Sequence, residues 1–270
     1  MKLYHGTNAS CLKAIQTEGI LPRSKSEAKG HWGHTVSSNR NAVYLTTAYA
    51  WHFAASACEK NDKGLILEID RDSLLPWCLC PDEDFMEQAT RRLSPSKENP
   101  NFAPVEWPMK NRTLHYRGIA KNNATLADPS LEHLGTCAYY GAIPWHAVTR
   151  YVVIDWDKLN ASMGIRAINS SVSIINFKIL KDRHHAFTRW FFNDPVEVGE
   201  LTGNDMWRNA ESVSDNSLKM FDEQDAVMTE VMVNRAGLEV ITNEKKSPKI
   251  AKYLIIEMSK QGRLGELFKR

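Results

Sequence analysis

Three short stretches of this chain present residue types that could act together on a small charged ligand. The first is Leu3-Tyr4-His5-Gly6-Thr7, which reads as a strand running into an imidazole and a glycine. A ligand can approach a glycine backbone closely because no Cβ stands in the way. The second is Val43-Tyr44-Leu45-Thr46-Thr47, where an aromatic ring on a strand could stack on a flat heterocycle. The third is Thr229-Glu230-Val231-Met232-Val233, a single carboxylate inside an apolar strand. Burying that charge is costly unless it faces water or a polar cleft. Each also has a plain structural explanation: a half-buried strand-end histidine, a core tyrosine, an acid on an edge strand.

The elements that would position these residues follow from local patterning. Lys2 to His5 reads as a strand. Asn8 can cap a helix whose apolar face is Cys11, Leu12 and Ile15, with Gly19 as its C-terminal cap and Pro22 barring continuation. Residues 24–41 are polar and read as a loop; 42–46 is a compact strand; 48–58 is alanine-rich and helical. Gly64 to Ile69 reads as a buried strand, 94–130 as a long irregular excursion, and Val148 to Ile154 as another strand. The alternation at 172–177 fits either a strand or a helix start, Ala186 to Phe192 is helical, and a polar connection at 209–225 leads to a strand at 229–233. The segment 248–270 closes the chain as a helix.

Taken in order, Leu3–Thr7 with its helix ending Glu18-Gly19-Ile20-Leu21-Pro22-Arg23, then Val43–Thr47 with its alanine-rich helix, then Gly64–Asp70, resembles the opening of the ADP-ribosyltransferase superfamily. It looks like the His-Tyr-Glu branch, and is similar to RNA 2′-phosphotransferases and to ADP-ribosylating toxins that modify nucleic acid. The match covers about residues 2–70. The stretches 75–85 and 139–155 are compatible with it but less diagnostic.

The resemblance implies an α+β fold with a split β-sheet core, helices and large insertions. The catalytic domain would span 1–244 with insertions within 71–225, followed by a basic C-terminal helix at 245–270. It implies NAD⁺ as co-substrate and a macromolecular acceptor, with nucleic acid (RNA) slightly favoured over protein, and it is compatible with a toxin or phage-defence role and an antitoxin partner. His5, Tyr44 and Glu230 would be the catalytic residues: His5 would hydrogen-bond a ribose and Tyr44 would lie under the nicotinamide, whose amide Gly6 would meet. Thr7 belongs to the same cofactor-binding edge, and Tyr49 or Phe53 would supply a second aromatic. Glu230 would stabilise the positive charge that develops on the ribose as nicotinamide leaves. The position where the family often carries its glutamate corresponds here to Thr136, with Glu132 the nearest acid; we take Glu230 as the catalytic acid and Glu132 as its competitor. A chain lacking the acid altogether would be a non-catalytic nucleotide-binding module of the same fold.

Composition limits the alternatives. The 270 residues carry a net charge of +2, but residues 245–270 hold eight Lys/Arg against Glu257 and Glu266. That surplus of six leaves about −4 on the remainder, so a basic tail is set apart from a mildly acidic body. Such a tail can hold phosphates without reading sequence, or simply be a solvated helix. Cys11, Cys58, Cys78, Cys80 and Cys137 are odd in number and show no framework spacing, which fits free thiols in a reducing, cytoplasmic setting. Cys78-Leu79-Cys80 is too tightly spaced for a zinc knuckle, and His31, His34, His184 and His185 lack the pattern of a helical zinc site, so no metal is expected. No signal peptide, membrane span, GxGxxG or Walker pattern is apparent.

Overall fold

A computed structural model describes residues 1–25, 38–87, 103, 106–158, 177–196, 200 and 238–243. Its centre is one seven-stranded sheet in the order β4-β5-β2-β1-β3-β6-β7, antiparallel at every junction. The strands are β1 Lys2–Asn8, β2 Val43–Thr46, β3 Lys63–Asp70, β4 Leu79–Pro81, β5 Thr136–Tyr139, β6 Val148–Asp155 and β7 Val240–Thr242. With the helices described below, this is an α+β fold.

Alternation along the central strands divides the core in two. Leu65, Leu67 and Ile69 of β3 join Leu3, Val43 and Leu45 beneath α1 (Leu12–Glu18), while Ile66 joins Tyr4, Trp51 and Val152 on the other face. That second face is covered by α2 (Ala50–Ser56) and by Phe187, Trp190 and Phe191 of a long helix, Phe177–Phe191. Burial on both faces explains why β3 reads as a continuous apolar run. Asn8 caps the first turn through Ser10 N–H at 2.9 Å, and Gly19 closes α1 with φ 85°, a left-handed conformation that suits glycine.

Glu68 sits in the middle of β3 at 2 % exposure. Its carboxylate is matched by Arg150 of β6, whose Nε lies 3.1 and 3.2 Å from the two oxygens, and by Lys2 at 3.1 Å. The same guanidinium bonds Asp194 through Nη1 and Nη2, both at 3.0 Å, and stacks over Phe192. This network fastens the end of the long helix to the sheet, and together the partners hold Glu68 below the usual carboxylate range in spite of its burial.

The region read as an irregular excursion contains two helices, α3 (Met109–Ala120) and α4 (Ala127–His133). Tyr116 and Ala120 are the residues α3 buries, so its apolar stripe is too narrow to register as amphipathic periodicity. In chain order the long helix Phe177–Phe191 is then α5; it extends the 186–192 segment by more than two turns. Strands β4, β5 and β7 are short additions to the sheet. The expected strand at 229–233, the polar connection at 209–225 and the helix at 248–270 lie outside the described residues, as does most of the 172–177 alternation. Among the described residues no helix is long and apolar enough to cross a membrane.

Candidate functional site

The sheet is continuous but narrows sharply between β1 and β2. β1 makes seven register pairs with β3, from Lys2↔Asp70 to Asn8↔Gly64, and a single one with β2, Tyr4↔Thr46. Beyond that pair the two strands part. A side chain spans the opening: His5 Nδ1 lies 3.0 Å from the carbonyl oxygen of Tyr44. A carbonyl can only accept, so Nδ1 carries the hydrogen. Burial lowers the pKa of His5, which favours the neutral ring. Neutral imidazole protonated at Nδ1 leaves Nε2 as a bare acceptor, suited to a ligand hydroxyl.

Alternation from the Tyr4↔Thr46 pair sends the Tyr44 side chain to the α2 face and His5 to the opposite one. The two are joined only through the main chain, so the expectation that their side chains act together on one face is corrected: period-two alternation sets them on opposite sides of the sheet. Gly6 and Thr7 continue β1 beside the opening. A Cβ on Gly6 would stand 1.9 Å from the Ala50 carbonyl oxygen and 2.6 Å from Ala54 N. Glycine here lets α2 lie directly on β1, and the side on which a Cβ would project is filled by the helix.

The Tyr44 hydroxyl lies 2.7 and 2.6 Å from the Glu83 oxygens and accepts from Asn39 N–H at 2.9 Å. Arg117 Nε of α3 donates to Glu83 Oε1 at 3.1 Å, and Asn39 Nδ2 donates to the Tyr140 hydroxyl at 3.2 Å. Burial and then the Glu83 charge push the Tyr44 phenol well above its ordinary pKa, so it stays protonated and donates. Next to Glu83, Asp82 accepts from Asp84 N–H at 3.0 Å and bonds the Thr136 side chain. Burial, then the charges of Glu83 and Asp84, raise Asp82 to about 7. Its own N–H donates to the Ser130 hydroxyl at 3.0 Å, which in turn donates to the Thr136 carbonyl at 2.8 Å.

Tyr49 and Phe53 stand elsewhere. Thr46 Oγ1 accepts from the N–H groups of Ala48 and Tyr49, both at 2.9 Å, and so sets the start of α2. Tyr49 packs on Phe53 and His184, with ring centroids 6.4 and 4.9 Å away, and near Gly135. Its hydroxyl is buried without a hydrogen-bond partner among the described residues. His184 accepts from Trp51 Nε1 at 3.0 Å, and His185 Nδ1 donates to the Thr47 carbonyl at 2.6 Å. Glu230, His31 and His34 lie outside the described residues. Thr136 faces Thr46 across the β2–β5 ladder, whereas Glu132 is exposed on α4. All five cysteines carry free thiols.

No family model, curated protein or solved structure matches this chain. The site therefore rests on its own geometry. The acids at 82 and 83 are the residues that sequence reasoning passed over. Their signal was Pro81-Asp82-Glu83-Asp84-Phe85, three acids flanked by residues that hold them against the core.

Proposed function

We propose that the chain is an NAD-dependent ADP-ribosyltransferase acting on a macromolecule, its site at the opening between β1 and β2. The observation that carries this reading is that opening, bridged by His5 and flanked by an aromatic, Tyr44, whose phenol stays neutral. The His5 Nε2 lone pair on one side of the sheet suits a ribose hydroxyl, and the Tyr44 ring on the other suits a nicotinamide face, so the ligand would have to pass through the opening to use both. The order of the motifs, strand with His-Gly-Thr and then strand with Val-Tyr-Leu-Thr-Thr, supports the same reading. NAD⁺ supplies the transferred group; the chain's task is to orient it, exclude water and stabilise developing positive charge. Nucleic acid is the favoured acceptor because of the basic tail at 245–270, and a toxin or phage-defence role would suit that acceptor.

A second reading has one observation in its favour. Thr136, where the resemblance asks for an acid, bonds Asp82, and the neighbouring Glu132 is exposed on α4. Unless Glu230 or another carboxylate reaches the opening, the chain would bind a nucleotide without turning it over. Incubation of the full chain with labelled NAD⁺ and cell lysate tests both readings. Label removed by nuclease supports transfer to nucleic acid, and label removed by protease supports a protein acceptor. NAD⁺ bound without hydrolysis or transfer supports the non-catalytic module. Absence of binding sinks both.

A further inference from the structure

The partners of the Tyr44 hydroxyl come from outside β2: Asn39 N–H from the approach to the strand, and Glu83 from the turn after β4. Glu83 is 6 % exposed, and both of its oxygens lie within hydrogen-bond reach of the phenol. One of them is also taken by Arg117 Nε, which supplies the opposite charge that a buried carboxylate needs. Both carboxylate oxygens are thus engaged by the protein's own groups, the phenol of Tyr44 and the guanidinium of Arg117.

A tyrosine fastened only at its Cα can swing about its side-chain torsions. Fastened at the far end as well, the ring keeps one plane. We propose that Glu83 is a positioning residue, clamping the Tyr44 ring in the attitude in which it stacks on the ligand, with Arg117 holding the carboxylate in place. This rests on the reading of the opening as an NAD⁺ site. An acceptor that is charged bonds a phenol about twice as strongly as a neutral one, so Glu83 suits the task better than glutamine would. A stacking ring that must be ordered at each binding event loses roughly three- to tenfold in affinity relative to one already ordered.

The test is a four-protein comparison on the full chain: wild type, Glu83→Gln, Tyr44→Phe and the double variant. Calorimetry gives NAD⁺ affinity, and NAD⁺ hydrolysis gives kcat and KM. Glu83→Gln should raise Kd and KM roughly three- to tenfold with kcat within about twofold, the pattern of lost ground-state and transition-state binding alike. Tyr44→Phe, which keeps the ring but removes the hydroxyl, should do the same. The double variant should be no worse than Tyr44→Phe alone, because the carboxylate then has nothing to hold. Multiplying effects, or a fall in kcat at unchanged KM, would overturn the proposal. If Glu83→Gln does not fold, Arg117→Met against Tyr44→Phe makes the same comparison. Should the wild type not bind NAD⁺, the functional reading fails by itself. Urea unfolding of the four proteins then decides the clamp: additive losses of stability refute a Tyr44–Glu83 bond, and non-additive losses uphold it.

Discussion

Asp82→Asn should make the protein more stable above neutrality, and the size of the gain follows from the surroundings of the carboxyl. Asp82 is 8 % exposed and has Glu83 and Asp84 as neighbours, and its pKa stands at about 7 in place of the ordinary value near 4. The native state therefore holds the proton more tightly than the unfolded chain does. Between about pH 4 and 7 the native protein keeps a proton that the unfolded chain has released, so stability falls as pH rises through that window and levels off above it. Each pKa unit is worth about 1.4 kcal/mol, which puts the full loss on the order of 2–4 kcal/mol. Asparagine retains an oxygen for Asp84 N–H and an amide for the Thr136 hydroxyl, without the charge. In urea unfolding at pH 5, 6, 7 and 8, wild type should lose stability across the series and Asp82→Asn should stay nearly level. The variant should lead by about 1–3 kcal/mol at pH 8. A constant offset between the two pH profiles, with unchanged m values, would refute the argument.

Gly6→Ala should cost more than an ordinary overpacking substitution, about 3 kcal/mol or above, since the new methyl meets helix backbone at 1.9 and 2.6 Å; a thermal midpoint within a degree of wild type would contradict this. Arg150→Met should destabilise by up to roughly 3–5 kcal/mol by leaving the buried Glu68 carboxylate with Lys2 as its remaining cation, and adding Glu68→Gln should recover much of that loss in denaturant titrations. For the acid of the proposed reaction, Glu230→Gln should lower NAD⁺-dependent transfer by a factor of roughly 10²–10³ while leaving the fold intact, as removal of one electrostatic stabiliser does. Glu132→Gln, altering an exposed helical residue, should leave transfer unchanged; the reverse result moves the catalytic acid to α4.

The elements that sequence patterning located are those with a strong local cause. Asn8, Gly19 and Pro22 bracket α1, and the apolar run at 65–67 with Ile69 marks β3, which is buried on both faces. The helices α3 and α4 escaped because their stability comes from docking a few residues, such as Tyr116, Ala120 and Leu131, and not from a repeating apolar face. His5 and Tyr44 were legible as neighbours on adjoining strands but not as one pocket, because alternation from the Tyr4↔Thr46 pair sends their side chains to opposite faces and the bond between them runs from ring to main chain. Glu83 was not legible, because its significance lies in contacts with Tyr44, 39 positions away, and with Arg117 on a helix that patterning did not find. Glu68 carries a warning for Glu230. A glutamate inside an apolar strand here serves an arginine on the neighbouring strand, a purely structural use of the same pattern.

The Tyr44 hydroxyl draws on residues 39 and 83 directly and on 117 and 140 through them, joining parts of the chain up to a hundred positions apart. The links through 83, 117 and 140 each close a loop, of 39, 34 and 101 positions, and that closure must precede any reward. The attitude of one ring is thus tied to the docking of α3, which carries Arg117, and to the turn after β4, which carries Glu83.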